Sequence, residues 1–190
     1  MFRIIVLLTL LHFYQPVFST EDTVSQGVAR YLTRIHKYME DEDWINAKRE
    51  LEVTARRYFK NEDSYERALI NQLYGQFYAL QRDYKNATPW FEKAIAKGRL
   101  PFAADLQVTY SLAQCYFQTG RYQDVIKTLE NYRNKAEKRG QNMAPIQLML
   151  LGIAYYQEQD ILNAYANIAE ANATATQLND EWLQYEFALA

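Results

Sequence analysis

Apolar and small residues along this chain recur in sets of six at fixed internal offsets of 3, 9, 12, 16 and 19 from a starting residue. One set is Gly75, Tyr78, Tyr84, Ala87, Phe91 and Ala94. A second is Ala113, Tyr116, Tyr122, Val125, Leu129 and Tyr132, and a third is Gly152, Tyr155, Ile161, Ala164, Ile168 and Ala171. An earlier one is Ile35, Tyr38, Trp44, Ala47, Leu51 and Thr54. The starting positions 35, 75, 113 and 152 give periods of 40, 38 and 39 residues. Within each set the spacings of three and four place residues on one helix face. Between the second and third members lie the short polar turns "QRDY", "QTGRY" and "EQDI". Each set therefore predicts two antiparallel helices, A and B, and the units run approximately over 28–62, 67–100, 103–139 and 145–177. A terminal helix is predicted over 180–190, where "EWLQYEFALA" begins a fifth helix A.

A period of 20–50 residues is the mark of a stacked repeat array. Small–x–x–Tyr followed by Ala–x–x–x–Phe–x–x–Ala is the tetratricopeptide (TPR) pattern. The small residue on helix A lets a neighbouring helix come close, and the large residue on helix B sits one turn below the small one opposite. Each hairpin leaves an apolar face that the next hairpin covers. The expected fold class is all-α: a right-handed TPR superhelix, an α-solenoid of about four helix-turn-helix repeats plus one terminal helix. The tyrosines of the pattern are read as core, not as chemistry. Gly120 suits a left-handed helix stop, and Pro101 and Pro145 sit near helix starts, where a missing N–H costs little. Pro89 falls two residues after Ala87, inside the second helix B, and is expected to bend that helix or delay its start.

The first nineteen residues do not fit the repeat. "MFR" is followed by the apolar run "IIVLLTLLHFY" and then by "QPVFST", the three regions of a secretory signal peptide. Eleven residues of helix span about 16 Å, roughly half of a bilayer core. Residues 1–19 are thus expected to be removed after Ser19 on export, leaving 20–190 as the TPR domain. Composition supports a folded chain: 49% hydrophobic and 23% charged residues over a length of 190 suit one core-forming domain. The net charge of −2 gives no general attraction for nucleic acid or an anionic membrane. The single cysteine, Cys115, precludes an internal disulfide and is read as a small core residue.

The residues give no enzyme. Past the leader only His36 remains among the histidines. There is no HExxH, no GxSxG, no phosphate-cradling glycine loop and no second cysteine. The acidic run at 40–43 lacks the DxDxDG spacing of a calcium loop and is read as a solvated turn. No catalytic residue, metal ligand or cofactor site is assigned.

What remains is binding. In this architecture the A helices line an inner wall, and residues three before, one after and four after the small anchor point into it. They are Gln72, Gln76 and Ala79, then Tyr110, Gln114 and Phe117, then Met149, Ile153 and Tyr156. Such a wall suits an apolar or amide-bearing protein segment held by side-chain amides and aromatic contacts. The terminal helix carries Trp182, Tyr185, Phe187 and Leu189, a second candidate interface through which a homo-oligomer would form.

The stretch "YERALINQLYGQFYALQRDYKNATPWFEKAIAKGRLP", with "YSLAQCYFQTGRYQDVIKTL" and "EWLQYEFALA", resembles exported TPR proteins associated with TonB-type energy-transducing systems of Gram-negative bacteria. The resemblance covers roughly residues 60 to 190. It rests on Tyr65–Ala68, Tyr74, Gly75, Tyr78, Leu100-Pro101, Tyr110–Gln114, Gly120 and Tyr122. It implies a periplasmic accessory that contacts a TonB, ExbB or ExbD component and has no catalytic residues. The alternatives are a scaffold for another cell-envelope assembly complex, a structural oligomer without a small-molecule ligand, and a periplasmic hydrolase or its regulatory subunit.

Overall fold

The structure is a computed structural model that describes residues 26–58 and 63–177. The leader 1–19 and the terminal helix, with Trp182, Tyr185, Phe187 and Leu189, lie outside the described residues. Eight helices follow one another among those described: α1 (Gln26–Glu40), α2 (Trp44–Tyr58), α3 (Tyr65–Leu80), α4 (Tyr84–Ile95), α5 (Phe102–Gln118), α6 (Tyr122–Glu137), α7 (Pro145–Gln157) and α8 (Ile161–Gln177). They pair as hairpins α1–α2, α3–α4, α5–α6 and α7–α8, and each hairpin packs mainly on the next. This is an all-α solenoid of sequential helix hairpins with the form of a TPR-like superhelix. No helix among the described residues is long and apolar enough to cross a membrane.

Steric pairs sixteen residues apart set how closely each hairpin closes. A Cβ added to Gly75 would lie 2.5 Å from Cδ1 of Phe91, and one added to Gly152 would lie 2.7 Å from Cγ1 of Ile168. The α3–α4 and α7–α8 hairpins accordingly have the most extensive backbone contact between their helices. The α5–α6 hairpin, with Ala113 opposite Leu129, has less, and α1–α2, with Ile35 opposite Leu51, has the least. Ile35, Leu51, Phe91, Ala113 and Leu129 are all buried. The recurring small residue is thus a notch whose depth is matched to the side chain facing it.

The A–B turns share one construction. Glu42, Arg82, Gly120 and Gln159 occupy the equivalent place in the four turns, and all have φ between 55° and 73°. Only the glycine adopts that conformation without steric cost. In three turns an aspartate follows. Asp43, Asp83 and Asp160 accept a hydrogen bond from the backbone N–H three residues on and a second from the amide of Asn46, Asn86 or Asn163. These are N-caps of helix B. The third turn exchanges the partners: Arg121 Nε donates to Asp124 at 2.7 Å. The acidic run at 40–43 therefore ends in a capping aspartate, and the Asn46 bonds hold the Asp43 carboxyl below the ordinary carboxylate range.

Pro89 does not delay its helix. Helix α4 starts at Tyr84, and Pro89 lies within it on the exposed side. There the ring meets solvent rather than a packed neighbour. The carbonyl that Pro89 leaves without an N–H donor is that of Lys85, an exposed residue open to water. Helix α4 is still short, at 12 residues against 15 to 17 for α2, α6 and α8. Cys115 is buried in the core, where burial pushes its thiol up to about 12, so it is a packing residue.

Candidate functional site

The candidate wall is built from the A helices. Gln72, Gln76 and Ala79 share one face of α3 by their spacing, as do Tyr110, Gln114 and Phe117 on α5 and Met149, Ile153 and Tyr156 on α7. Gln72, Ala79, Met149 and Ile153 are buried. Gln76, Tyr110, Gln114 and Phe117 are half-buried, and Tyr156 is exposed. Ala79, Met149 and Ile153 belong to the main core, against which Tyr110 and Phe117 also pack. The surface left to a partner is therefore narrower than nine side chains: an amide and aromatic strip on α3 and α5, with Tyr156 beyond it.

That strip carries no formal charge, but it holds polar atoms without partners. Oε1 of Gln72 and Oε1 of Gln76 are buried and make no hydrogen bond, whereas the buried Tyr110 hydroxyl has the Gln114 side chain within reach. Burial pushes the Tyr110 pKa up, and the Gln114 side chain beside it offsets part of that rise. An unpaired buried polar group costs roughly 1–3 kcal/mol, so native chains carry few of them. The neighbouring Tyr132, by contrast, accepts from Gln147 at 3.0 Å.

The hairpins are tied together by a second repeated device. Tyr116 of α5 donates to Glu92 of α4 at 2.6 Å, and Tyr155 of α7 donates to Glu130 of α6 at 3.1 Å. Lys135 reaches from α6 to the buried Asp105 of α5 at 2.5 Å. These tyrosines are structural, as the repeat pattern implies. His36 is half-buried on α1, and burial lowers its pKa to about 4. Among the described residues no group of three or more His, Cys, Asp or Glu side chains could hold a metal ion.

One surface was not singled out by sequence reasoning. Ile161, a member of the repeat pattern read as core, is 58% exposed, and Tyr165 is 76% exposed. The equivalent residues of the second and third hairpins, Tyr84, Thr88, Tyr122 and Ile126, are buried or half-buried. They lie between successive described hairpins. The signal in the sequence was Leu162, which stands where those two hairpins have Lys85 and Gln123.

Comparison with known proteins agrees with this geometry. The family described as anaphase-promoting complex, cyclosome, subunit 3 matches residues 80–141, less than half of the chain. Comparison with curated protein sequences finds no match. Among solved structures, BtubC (BKLC) from P. vanneervenii superposes with a TM-score of 0.66 at 18% identity, over 80% of this chain and 65% of that one. A Podosopora anserina chain of nearly identical TPR-like repeats, named as a kinesin light chain, does so in two structures with TM-scores of 0.64 and 0.62. Both are 15% identical and cover 80% of this chain and 76% of that one. The chain thus spans 65% of the length of BtubC. At these identities the likeness shows the fold, a TPR-like helical repeat.

Proposed function

We propose that this protein is an exported scaffold of the cell envelope that captures a protein segment along the amide and aromatic strip of α3 and α5. The observation that carries the reading is the pair of unpartnered amide oxygens of Gln72 and Gln76 on that strip. An extended segment presents N–H and C=O groups at regular intervals. With a small rotation of the glutamine amides it would supply the missing bonds, while Phe117 and Tyr156 offer apolar contact. Export rests on the leader-like residues 1–19. The narrower form, an accessory contacting a TonB, ExbB or ExbD component, rests on the sequence resemblance over residues 60–190. The broader form, a scaffold of an envelope assembly complex, needs only the fold and the leader.

Site-specific photocrosslinking tests the reading. A crosslinking residue at Gln76 or Gln114 should capture the same envelope protein by mass spectrometry, and one at Lys48 on α2 should not. Combining it with Tyr110→Ala and Phe117→Ala should abolish capture while helicity stays intact. Capture from Lys48 alone, or capture unaffected by the double substitution, rejects the strip. A TonB, ExbB or ExbD component among the captured proteins supports the narrower form. Cytoplasmic recovery of a chain that retains residues 1–19 rejects export.

A further inference from the structure

Two hydrogen-bond acceptors of the strip lack a donor, and they are neighbours. Gln72 is 5% exposed and Gln76 is half-buried, and the Oε1 atom of each is buried and makes no bond. The two residues are one turn apart on α3, about 6 Å along its axis. On α5 the polar side chains of the strip answer each other, with Gln114 reaching the Tyr110 hydroxyl. Amides elsewhere are paired: Asn167 accepts from Arg133 and donates to the Asn163 carbonyl, and Gln147 donates to Tyr132. Asn71 also has an unpartnered Oδ1. Its spacing from Gly75, however, puts it on the face turned to Phe91 of α4 rather than on the wall. The α3 part of the wall therefore calls for a hydrogen-bond donor.

Charge decides what kind of donor. The aspartate, glutamate, lysine and arginine residues of α3, α5 and α7 are Glu66 and Arg67, at the start of α3, and Asp105. Neither Glu66 nor Arg67 lies three or four residues from Gln72 or Gln76, so neither shares their face. Asp105 is buried and held by Lys135 of α6. A lysine or arginine seated against the two glutamines would give up water without meeting a carboxylate from these helices. An aspartate or glutamate would set its lone pairs against those of the amide oxygens. A primary amide carries two N–H donors on one nitrogen and no charge. At about 2.9 Å from each acceptor, that nitrogen bridges two oxygens up to about 5 Å apart. Glutamine side chains one turn apart can bring their oxygens to that separation.

We infer that the strip selects its segment through an uncharged amide side chain: an asparagine or glutamine of the partner donates to Oε1 of both Gln72 and Gln76. This rests on the reading of the strip as the binding surface, and it names the chemistry that surface accepts. Gln72 and Gln76 are then the residues that determine specificity. A segment with a charged residue at the same place is rejected, because the charge would be desolvated without a partner. Capture through neutral groups is also insensitive to salt. Placing a carboxylate on the wall, as in Gln76→Glu, turns the choice toward lysine or arginine.

The test uses the full chain and a displayed library of random peptides of about 12 residues, some 40 Å when extended. Peptides retained by the parent and lost with Tyr110→Ala plus Phe117→Ala count as bound to the strip. Among them, one position should be enriched in asparagine and glutamine and depleted in acidic and basic residues. In the tightest of these peptides, made synthetically, changing that residue to glutamate, lysine or leucine should weaken binding by at least about tenfold in anisotropy. Raising salt from about 0.05 M to about 0.5 M should leave the affinity of the amide peptide within about twofold. Gln76→Glu should reverse the choice in favour of the lysine peptide. Gln76→Leu adds no charge to the wall and should lose most of the difference between the amide and leucine peptides. Circular dichroism checks that each variant is folded, and Gln76→Leu decides if the glutamate variant is not. Strip-bound peptides with a charged residue at the selected position, or with no preference there, overturn the inference and leave the strip as a binding surface. An unchanged preference in folded Gln76→Leu overturns it as well. If no peptide depends on Tyr110 and Phe117, the strip itself is rejected, and the inference with it.

Discussion

The notch at Gly75 offers a test with an internal control. In Gly75→Ala the new Cβ would lie 2.5, 2.6 and 2.8 Å from Cδ1, Cε1 and Cγ of Phe91. Carbon atoms in good contact sit about 3.5–4.0 Å apart, so the ring must shift by about 1 Å. Phe91 is only 1% exposed and has no open space to move into. Overpacking of that kind costs about 1–3 kcal/mol. Alanine in place of a mid-helix glycine returns about 0.8–1 kcal/mol of helix propensity. The net expectation is a loss of up to about 2 kcal/mol, a fall in melting temperature of up to roughly 8 °C for a chain of this size. Phe91→Leu alone should cost a similar amount, because it opens space opposite the glycine. The double variant rebuilds the Ala113–Leu129 pair that the next hairpin already uses, with both residues fully buried. It should therefore be more stable than either single variant, with a favourable coupling of about 1 kcal/mol or more. Urea unfolding followed by circular dichroism reads all four midpoints. Additivity within about 0.5 kcal/mol would refute the notch argument.

Four further outcomes follow from the same contacts. Gly152→Ala should cost more than Gly75→Ala, because its Cβ also lies 3.1 Å from the Ala164 backbone carbonyl, which cannot swing aside as a side chain can; the same urea midpoints read it. Arg82→Gly relaxes a residue at φ 61° and should gain about 0.5–1 kcal/mol, while Gly120→Ala should lose about 1–2 kcal/mol; calorimetric midpoints of both check the sign. His36 has a folded-state pKa of about 4, lowered by burial from an ordinary value of 6.5, so between these values the unfolded chain binds the proton and the folded chain does not. Stability should be full above about pH 6.5 and fall by about 1–3 kcal/mol on acidification to about pH 4, a slope that His36→Gln flattens in urea titrations across that range. Lys135→Met removes the cation from the buried Asp105 carboxylate and should cost about 1–3 kcal/mol, with part of the loss restored by the added change Asp105→Asn in a thermal-melt comparison.

The repeat was legible because its cause is steric. Gly75–Phe91, Ala113–Leu129 and Gly152–Ile168 each pair a small residue with a large one at the same separation, and the complementarity shows in the residue types. The A–B turns were legible as polar breaks, but only Gly120 announced a left-handed conformation. Glu42, Arg82 and Gln159 adopt it because the capping aspartate and the helices on either side hold them there, which no local pattern records. The fate of Pro89 was not legible, because it depends on which side of α4 meets solvent. Helical spacing gave the face of the wall residues. It could not give the depth to which Gln72, Met149 and Ile153 sink, since that depends on how tightly successive A helices curve. The exposure of Ile161 and Tyr165 was not legible for a related reason: helical spacing gives a residue's face but not what covers that face.

Binding of a protein segment along the strip on α3 and α5 is the proposal on which the functional reading depends. The direct measurement is isothermal titration of the protein captured at Gln76 into the parent chain and into the Tyr110→Ala, Phe117→Ala double variant. The expected result is a loss of affinity of at least about tenfold, or about 1.4 kcal/mol, at a temperature where the variant keeps the parent's helical content, although its unfolding midpoint falls because both rings pack on the core. Equal affinities in two equally folded chains would contradict it.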